Sequence, residues 1–189
     1  MIDQVPCAQC GAPVSESSAR RMNGLCISCK MKRTRTDPFH VFYNSLIDRV
    51  QRSRGGFDML SEPEKLYFTV MLLRNEVNNG GFHQYFINSS GSYYDYAEKG
   101  LIALGATQTL ELLRQAKDIL FPTISVPVDT EMRRRLVPVV EPDAPTPEWA
   151  NKLDELDRRF YADSETLTSQ LKSFAREQGL VSAQRGADI

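Results

Sequence analysis

The sequence contains no uninterrupted run of about 18 apolar residues, so it offers no segment that could cross a membrane as a helix. Its first residues, MIDQVPCAQC, hold neither the basic stretch nor the apolar stretch that begins a secretory signal. We therefore expect a cytoplasmic protein whose thiols stay reduced. With 41% apolar and 25% charged residues, the composition is that of an ordinary globular chain and argues against disorder throughout.

Cysteine is absent after residue 29, and the four cysteines before that point follow the spacing C-x2-C-x15-C-x2-C. Two intervening residues let one tight turn direct both sulfur atoms at a single ion about 2.3 Å away, and a second such turn completes a tetrahedron. Gly11 and Gly24 suit such turns because glycine accepts a positive φ. The pattern predicts one structural Zn²⁺ ion, bound by Cys7, Cys10, Cys26 and Cys29.

Two other uses of these cysteines fit the rest of the sequence less well. Two disulfide bonds would need an oxidising compartment, and a thioredoxin-like redox pair would need a βαβ context that the sequence lacks. A segment this short cannot build a core of its own, so the metal would supply its folding free energy.

Charge is distributed unevenly along the chain. Residues 1–36 carry six basic and two acidic side chains, a net charge of +4, whereas the remainder carries 17 basic and 22 acidic side chains, a net charge of −5. The basic side chains that follow the last cysteine are Lys30, Lys32, Arg33 and Arg35. They indicate either a contact with nucleic acid or a solvated linker of mixed residues.

Helical periodicity dominates the chain after the cysteines. We predict an all-α body of about six helices over residues 37–180, preceded by a small zinc ribbon or knuckle module over residues 1–36 and followed by a frayed tail over 181–189. The module could hold two very short strands. Six prolines between residues 121 and 147 predict a long, semi-extended loop without a regular helix. Two further helices are expected after Pro147.

Residues 75–91, NEVNNGGFHQYFINSSG, interleave amides with aromatic residues and glycines. One interpretation is a pocket in which five polar side chains converge, namely Glu76, Asn79, His83, Gln84 and Asn88. Gly80 and Gly81 would then free backbone N–H groups to face a ligand. The other interpretation is a corner between helices, in which the amides cap helix ends and Phe82, Tyr85 and Phe86 belong to the core.

Catalysis is not indicated by this segment. Glu76 and His83 could form an acid–base pair, but neither a nucleophile nor an orienting third group accompanies them. The sequence also lacks a P-loop and an H-E-x-x-H motif. We therefore predict no catalytic residue.

The string NGGFHQYFINSSG, with Glu76 upstream, resembles the signature of a bacterial family of DNA-mimic proteins. Near the C-terminus, the pattern of Leu153, Leu156, Asp157, Phe160 and Tyr161 resembles that family's last helices. The resemblance covers roughly residues 38–178, and the cysteine module resembles a zinc module appended in a subset of such proteins. It implies an all-α fold, no enzymatic activity, and an acidic homodimer whose carboxylates stand in for DNA phosphates and occupy a DNA-binding protein.

An acidic patch is the feature that such mimicry would use. Residues 141–165 hold eight acidic and three basic side chains, and the spacing of Asp154, Glu155 and Asp157 predicts that these three carboxylates face outward together. They form either a contact for a basic partner or the solvated face of an amphipathic helix. The run Arg133-Arg134-Arg135 opposes mimicry.

Taken together, these features favour a non-enzymatic regulatory protein that binds a protein partner. The alternatives are an immunity-type protein that neutralises a toxin, a zinc ribbon protein that binds nucleic acid, and an enzyme centred on Glu76 and His83. No membrane partner is expected.

Overall fold

The computed structural model describes residues 4–140 and 145–182. Within these ranges the chain forms eight α-helices and one two-stranded sheet, which confirms the predicted all-α fold with a small N-terminal module. None of the helices in the described ranges has the length and apolar character needed to cross a membrane. Residues 141–144 of the acidic stretch and residues 183–189 of the predicted tail lie outside the description.

Two compact units make up the chain, and the division between them falls after Ile47. The sequence places the boundary earlier, between residues 36 and 37, where a helix ends. That boundary stays a prediction. At the other end, Val181 is buried and its N–H donates to the carbonyl of Ala175 at 3.2 Å, so the ordered chain extends at least to this residue of the predicted tail.

The first unit is built around a hairpin and short helices. Strand β1 (Gln4–Pro6) pairs antiparallel with β2 (Pro13–Ser15), and Val5 lies opposite Val14. The following elements are α1 (Glu16–Arg21), α2 (Ile27–Thr36) and α3 (Pro38–Arg52), the last of which continues into the second unit. The buried residues of the hairpin and of the segment up to α2 form a very small core: Cys7, Val14, Ala19 and Leu25.

The second unit is an α-helical bundle organised around one long helix. Its helices are α4 (Glu62–Ile87), α5 (Tyr94–Ala103), α6 (Thr107–Leu120), α7 (Thr130–Leu136) and α8 (Glu148–Glu177). Two short 3-10 helices, Gly56–Met59 and Ser89–Tyr93, precede α4 and α5. Helix α4 packs against both α5 and α8, and α6 packs against α8. A capping box of Ser61 and Glu64 begins α4.

Two predictions about helices were wrong. The proline-rich segment contains α7, because Pro127 and Pro138 flank that helix instead of interrupting it, and Asp129 caps it by accepting from the N–H of Met132 at 2.7 Å. The two helices predicted after Pro147 are one helix, α8, since residues 161–166 contain neither glycine nor proline to end it.

Helix α7 is attached to the end of α4 by the fully buried side chain of Arg133. Its guanidinium donates to the carbonyls of four residues at 2.7 Å, and these are Phe86, Asn88, Pro127 and Val128. Gly91 is required beside it, since a Cβ atom there would lie 2.8 Å from Nε of Arg133. Burial lowers the pKa of Arg133. Arg133 is therefore a structural clamp, and of the run Arg133-Arg134-Arg135 only the last two side chains are exposed.

Replacing Arg133 by Met should lower the free energy of unfolding by about 3 kcal/mol or more, because one buried and three partly buried carbonyls lose their donors. The matched control is Arg134→Met. Arg134 is exposed and donates to the carbonyl of Ile87 at 2.9 Å, so its loss should cost less than about 1 kcal/mol. Urea unfolding followed by far-UV circular dichroism measures both. Equal, small losses would contradict the clamp.

Candidate functional site

The four cysteines come together as the sequence predicts. Their sulfur atoms all lie within 4.8 Å of one another, and Sγ of Cys10 is 3.7 Å from Sγ of Cys26. Four sulfurs at 2.3 Å from one ion would be about 3.8 Å apart, so the arrangement fits a tetrahedral site. It does not fit disulfide bonds, whose sulfurs are about 2.05 Å apart. The cluster could therefore bind a metal ion.

Backbone turns set up this cluster. Gly11 (φ 72°) and Gly24 (φ 78°) both have positive φ, as their predicted place in tight turns requires. The sulfur of Cys7 accepts from the N–H of Cys26 at 3.1 Å, and the sulfur of Cys26 accepts from the N–H of Cys29 at 3.4 Å. Such N–H···S bonds orient the sulfurs and stabilise the thiolate form that metals bind.

Proton affinities in the cluster differ sharply. The N–H of Cys26 is the main reason why the pKa of Cys7 falls to about 6. The pKa of Cys29 rises to about 12, mainly because its thiol donates to Cys10 and also to Cys26. Four adjacent thiolates repel one another, so a full set of deprotonated ligands needs a cation among them.

The second candidate site is the kink in α4 at Gly80 and Gly81. Gly81 has φ 76°, a value in the region that favours glycine, so the helix breaks and restarts at Phe82. The first turn of the restarted helix has an N–H without a partner in its own helix, and Asp157 of α8 accepts from it, with Oδ1 2.8 Å from N of Phe82. A Cβ atom at Gly81 would lie 2.1 Å from Oδ2 of Asp157, so the carboxylate fits only against glycine.

Glu76 is the centre of a polar network on the other side of the kink. Its Oε2 accepts from Nδ2 of Asn88 at 2.9 Å and from Nε2 of Gln84 at 2.8 Å. Its Oε1 accepts from Oγ of Ser90 at 2.9 Å. Three side chains therefore hold this carboxylate across the kink and the turn that follows α4. Ser90 was missed as a member of the network, because its burial and its bond to Glu76 arise only when the chain folds.

The other residues of the segment do not join a common pocket. Phe82, Tyr85 and Phe86 are fully buried in the core, as the corner interpretation predicts. Asn79 is exposed. His83 stacks on Trp149, with ring centroids 5.8 Å apart, and its Nε2 lies 3.4 Å from the carbonyl of Pro138. Of the five polar residues expected to converge, the structure brings together only Glu76, Gln84 and Asn88.

The three carboxylates of the acidic patch do not share one role. Asp154 and Glu155 are exposed, and Glu155 pairs with Arg158 at 2.6 Å. Asp157 is half-buried and turned toward the kink, so the prediction that it faces outward with the other two was wrong. The prediction used only the spacing of residues within one helix. The orientation of Asp157 is decided by the N–H of Phe82 on α4, which has no partner in its own helix.

The model of one protein family, described as DMP19-like protein, matches residues 58–178. The chain belongs to the DMP19-like family. No match was found among curated proteins or among solved structures. The DMP19-like match contains the kinked helix, the Arg133 clamp and the acidic patch, and it leaves out the four cysteines and helices α1–α3. The family resemblance seen in the sequence is thereby confirmed for the helical body.

The pH dependence of stability should reveal the role of Asp157. Burial raises the pKa of Asp157 above its ordinary value of 3.8, so the folded state binds this proton more tightly than the unfolded state does. Its contribution is complete below pH 3.8 and is lost as pH rises through the higher pKa of the folded state. Relative to Asp157→Asn, the wild type should therefore gain stability between pH 7 and pH 4.

Asp157→Ala removes the acceptor for Phe82 and should cost about 1 kcal/mol or more at pH 7, as loss of a helix cap does. Asp157→Asn keeps an acceptor and should cost less. Asp154→Asn, an exposed neighbour, serves as the control and should show little change at either pH. If Asp154→Asn and Asp157→Asn had the same pH profile, the raised pKa of Asp157 would be refuted, and a loss from Asp157→Ala no larger than that from Asp154→Asn would refute the capping role. Urea unfolding at each pH supplies the data.

Proposed function

We propose that this protein is a non-enzymatic regulator of the DNA-mimic type, whose DMP19-like domain binds a DNA-binding protein. The observation that carries the proposal is the family match over residues 58–178, a family named for DNA mimic protein 19. A fixed set of carboxylates imitates the phosphates of a duplex and attracts the basic surface of a DNA-binding protein.

Surface charge on the body supports a basic partner. Two arginines, Arg74 and Arg133, are turned inward onto neutral oxygen atoms. Two carboxylates, Glu76 and Asp157, are turned inward as well. The two inward positive charges and the two inward negative charges cancel. The excess of acidic over basic side chains after residue 36 is therefore unchanged.

The carboxylates best placed for a partner are Asp154 and Glu165 on α8. Both are exposed, and neither makes an ion pair with any residue that the structure describes. Eleven residues of helix separate them, which places them about 20° apart around the axis and about 16 Å apart along it. Other carboxylates of this helix are less available, since Glu148 pairs with Lys152 and Glu155 with Arg158.

The Glu76 network also supports a binding role over an enzymatic one. A general base needs a free oxygen within reach of a substrate proton, whereas both oxygens of Glu76 accept bonds from neighbouring side chains. His83 is engaged with Trp149 and Pro138. The homodimer and the cytoplasmic location expected from the sequence stay predictions.

We further propose that the cysteine cluster binds one Zn²⁺ ion with a structural role. Four thiolates in a tetrahedral arrangement are the ligand set that zinc prefers. A set of four protein ligands leaves no open position for a substrate. The ion would supplement the small hydrophobic cluster beside the cysteines, which has four buried members.

Metal analysis of the purified protein should give close to one equivalent of zinc per chain. Cys26→Ser should lose the metal and the structure of the first unit, while the body keeps its helical circular dichroism, because it has its own core. The control Ser28→Ala lies in the same turn of α2 and should keep the zinc. Protein without metal and with freely titrating thiols would rule out the zinc site, and a global loss of helix would show that the body depends on it.

DNA competition tests the proposed mimicry. The full chain is immobilised with Lys30, Lys32, Arg33 and Arg35 changed to Gln, so that these cations bind no DNA themselves. Proteins captured from an extract of the source cells are then challenged with duplex DNA of mixed sequence. A DNA-binding protein held by mimicry should be released, because the duplex and the chain occupy the same basic surface.

Charge reversal locates the surface. Asp154→Lys with Glu165→Lys should reduce capture at least about tenfold, since electrostatic complementarity governs association. The matched control is Glu111→Lys with Glu177→Lys, which makes the same change of charge at two other exposed positions. Captured protein that remains bound while it also binds DNA would argue against mimicry. Equal capture by both double variants would argue against this face of α8.

A further inference from the structure

Helix α2 is the most cationic surface of the described chain. It carries Lys30, Lys32, Arg33 and Arg35, and none of its residues is buried. No acidic residue occurs between residues 17 and 36, and these four cations make no ion pair with any described residue. Cations without partners attract phosphate groups strongly because no protein carboxylate neutralises them first.

The cations are arranged on both flanks of the helix. The sulfur of Cys29 belongs to the cysteine cluster, so the opposite side of α2 faces outward and is here called the crest. At about 100° per residue, Ile27 and Met31 lie on this crest. Lys30 and Arg35 then lie on opposite flanks, about 80° and 60° from the crest, and Arg33 and Lys32 lie further back on the same two sides, about 140° and 120° from it. The two crest residues are 64% and 50% exposed, so the crest is open to contact.

This arrangement matches a helix lying in the major groove of duplex DNA. A groove presents phosphates on both sides of an inserted helix and base edges, including thymine methyl groups, at its floor. An acidic protein surface would face only one flank. A membrane surface would need a broader apolar face than two side chains provide.

The cysteine cluster also fixes the start of α2. Cys26 caps the helix through its sulfur, which accepts from the N–H of Cys29, and Cys29 lies in the first turn. An isolated helix of ten residues is marginal in water, so this anchoring keeps the cations in a fixed arrangement. Arg20 is exposed as well, but it differs from these four cations in pairing with a carboxylate, that of Glu16.

We propose that α2 is a docking helix for duplex DNA, with Ile27 and Met31 directed to the groove and the four cations directed to the phosphates on its two sides. This site is separate from the partner surface proposed on α8. The protein would then bind DNA through α2 and DNA-binding proteins through its body. The two proposals stand on different residues and can fail independently.

Fluorescence anisotropy with a labelled, mixed-sequence DNA duplex of about 20 base pairs tests the proposal on the full chain. The logarithm of affinity should fall with the logarithm of salt with a slope of about −3.6 if four phosphates are neutralised, a loss of about 150-fold between 50 and 200 mM salt. Changing Lys30, Lys32, Arg33 and Arg35 to Gln should reduce affinity at least about tenfold at 50 mM salt and bring the slope close to zero.

The control changes Lys99, Lys152, Arg158 and Arg159 of the body to Gln, which removes the same number of exposed charges. It should leave affinity and slope nearly unchanged. Zinc content and circular dichroism confirm that the α2 variant is folded. The proposal would be overturned if the α2 variant bound the duplex as tightly as the wild type does. It would also be overturned if the control variant lost as much affinity as the α2 variant.

Two further binding measurements distinguish a DNA duplex from other ligands of α2. An RNA duplex of the same sequence should bind more weakly, because its major groove is too narrow for a helix. Vesicles of phosphatidylcholine and phosphatidylglycerol at a 7:3 ratio should not bind through α2. If the wild type bound these vesicles and not the DNA duplex, α2 would be a membrane-surface helix and the proposal would be wrong.

Discussion

The hydrogen bond between the carboxylate of Asp157 and the N–H of Phe82 joins α8 to the kink of α4, and the packing of the body depends on it. Helix α4 breaks at Gly80 and Gly81, and each break in a helix leaves backbone groups without partners. Asp157 supplies one of those partners from α8, the helix that packs beside α4. The kink, the direction of the aromatic residues that follow it and the position of α8 therefore depend on one another.

Polar groups inside the body follow the same rule. Glu76 is held by three side-chain donors, and the buried guanidinium of Arg133 is held by four carbonyls. A buried charge is tolerated only when such bonds replace its hydration. The segment that the sequence marks as unusual thus has an architectural role, in which both carboxylate oxygens of Glu76 are engaged.

The N-terminal unit solves its folding problem in another way. The hydrophobic cluster beside its cysteines has only four buried members, and the four sulfurs within 4.8 Å of one another could hold a metal ion there. The body needs no such aid, since α4, α5, α6 and α8 pack into a bundle of ordinary size. Charge differs between the two parts as well, which is why we assign them different partners.

Local chemistry by itself determined the cysteine cluster, the capping box of α4 and most helices, because spacing within one turn or one helix fixes those features. The family resemblance was also visible in the sequence, since its motif is continuous. The orientation of Asp157, the burial of Arg133 and the gathering of Ser90 with Glu76 were decided only by the tertiary structure. Each depends on a backbone group or a side chain distant in sequence, and no local pattern encodes which unpaired group a polar side chain will meet when helices pack.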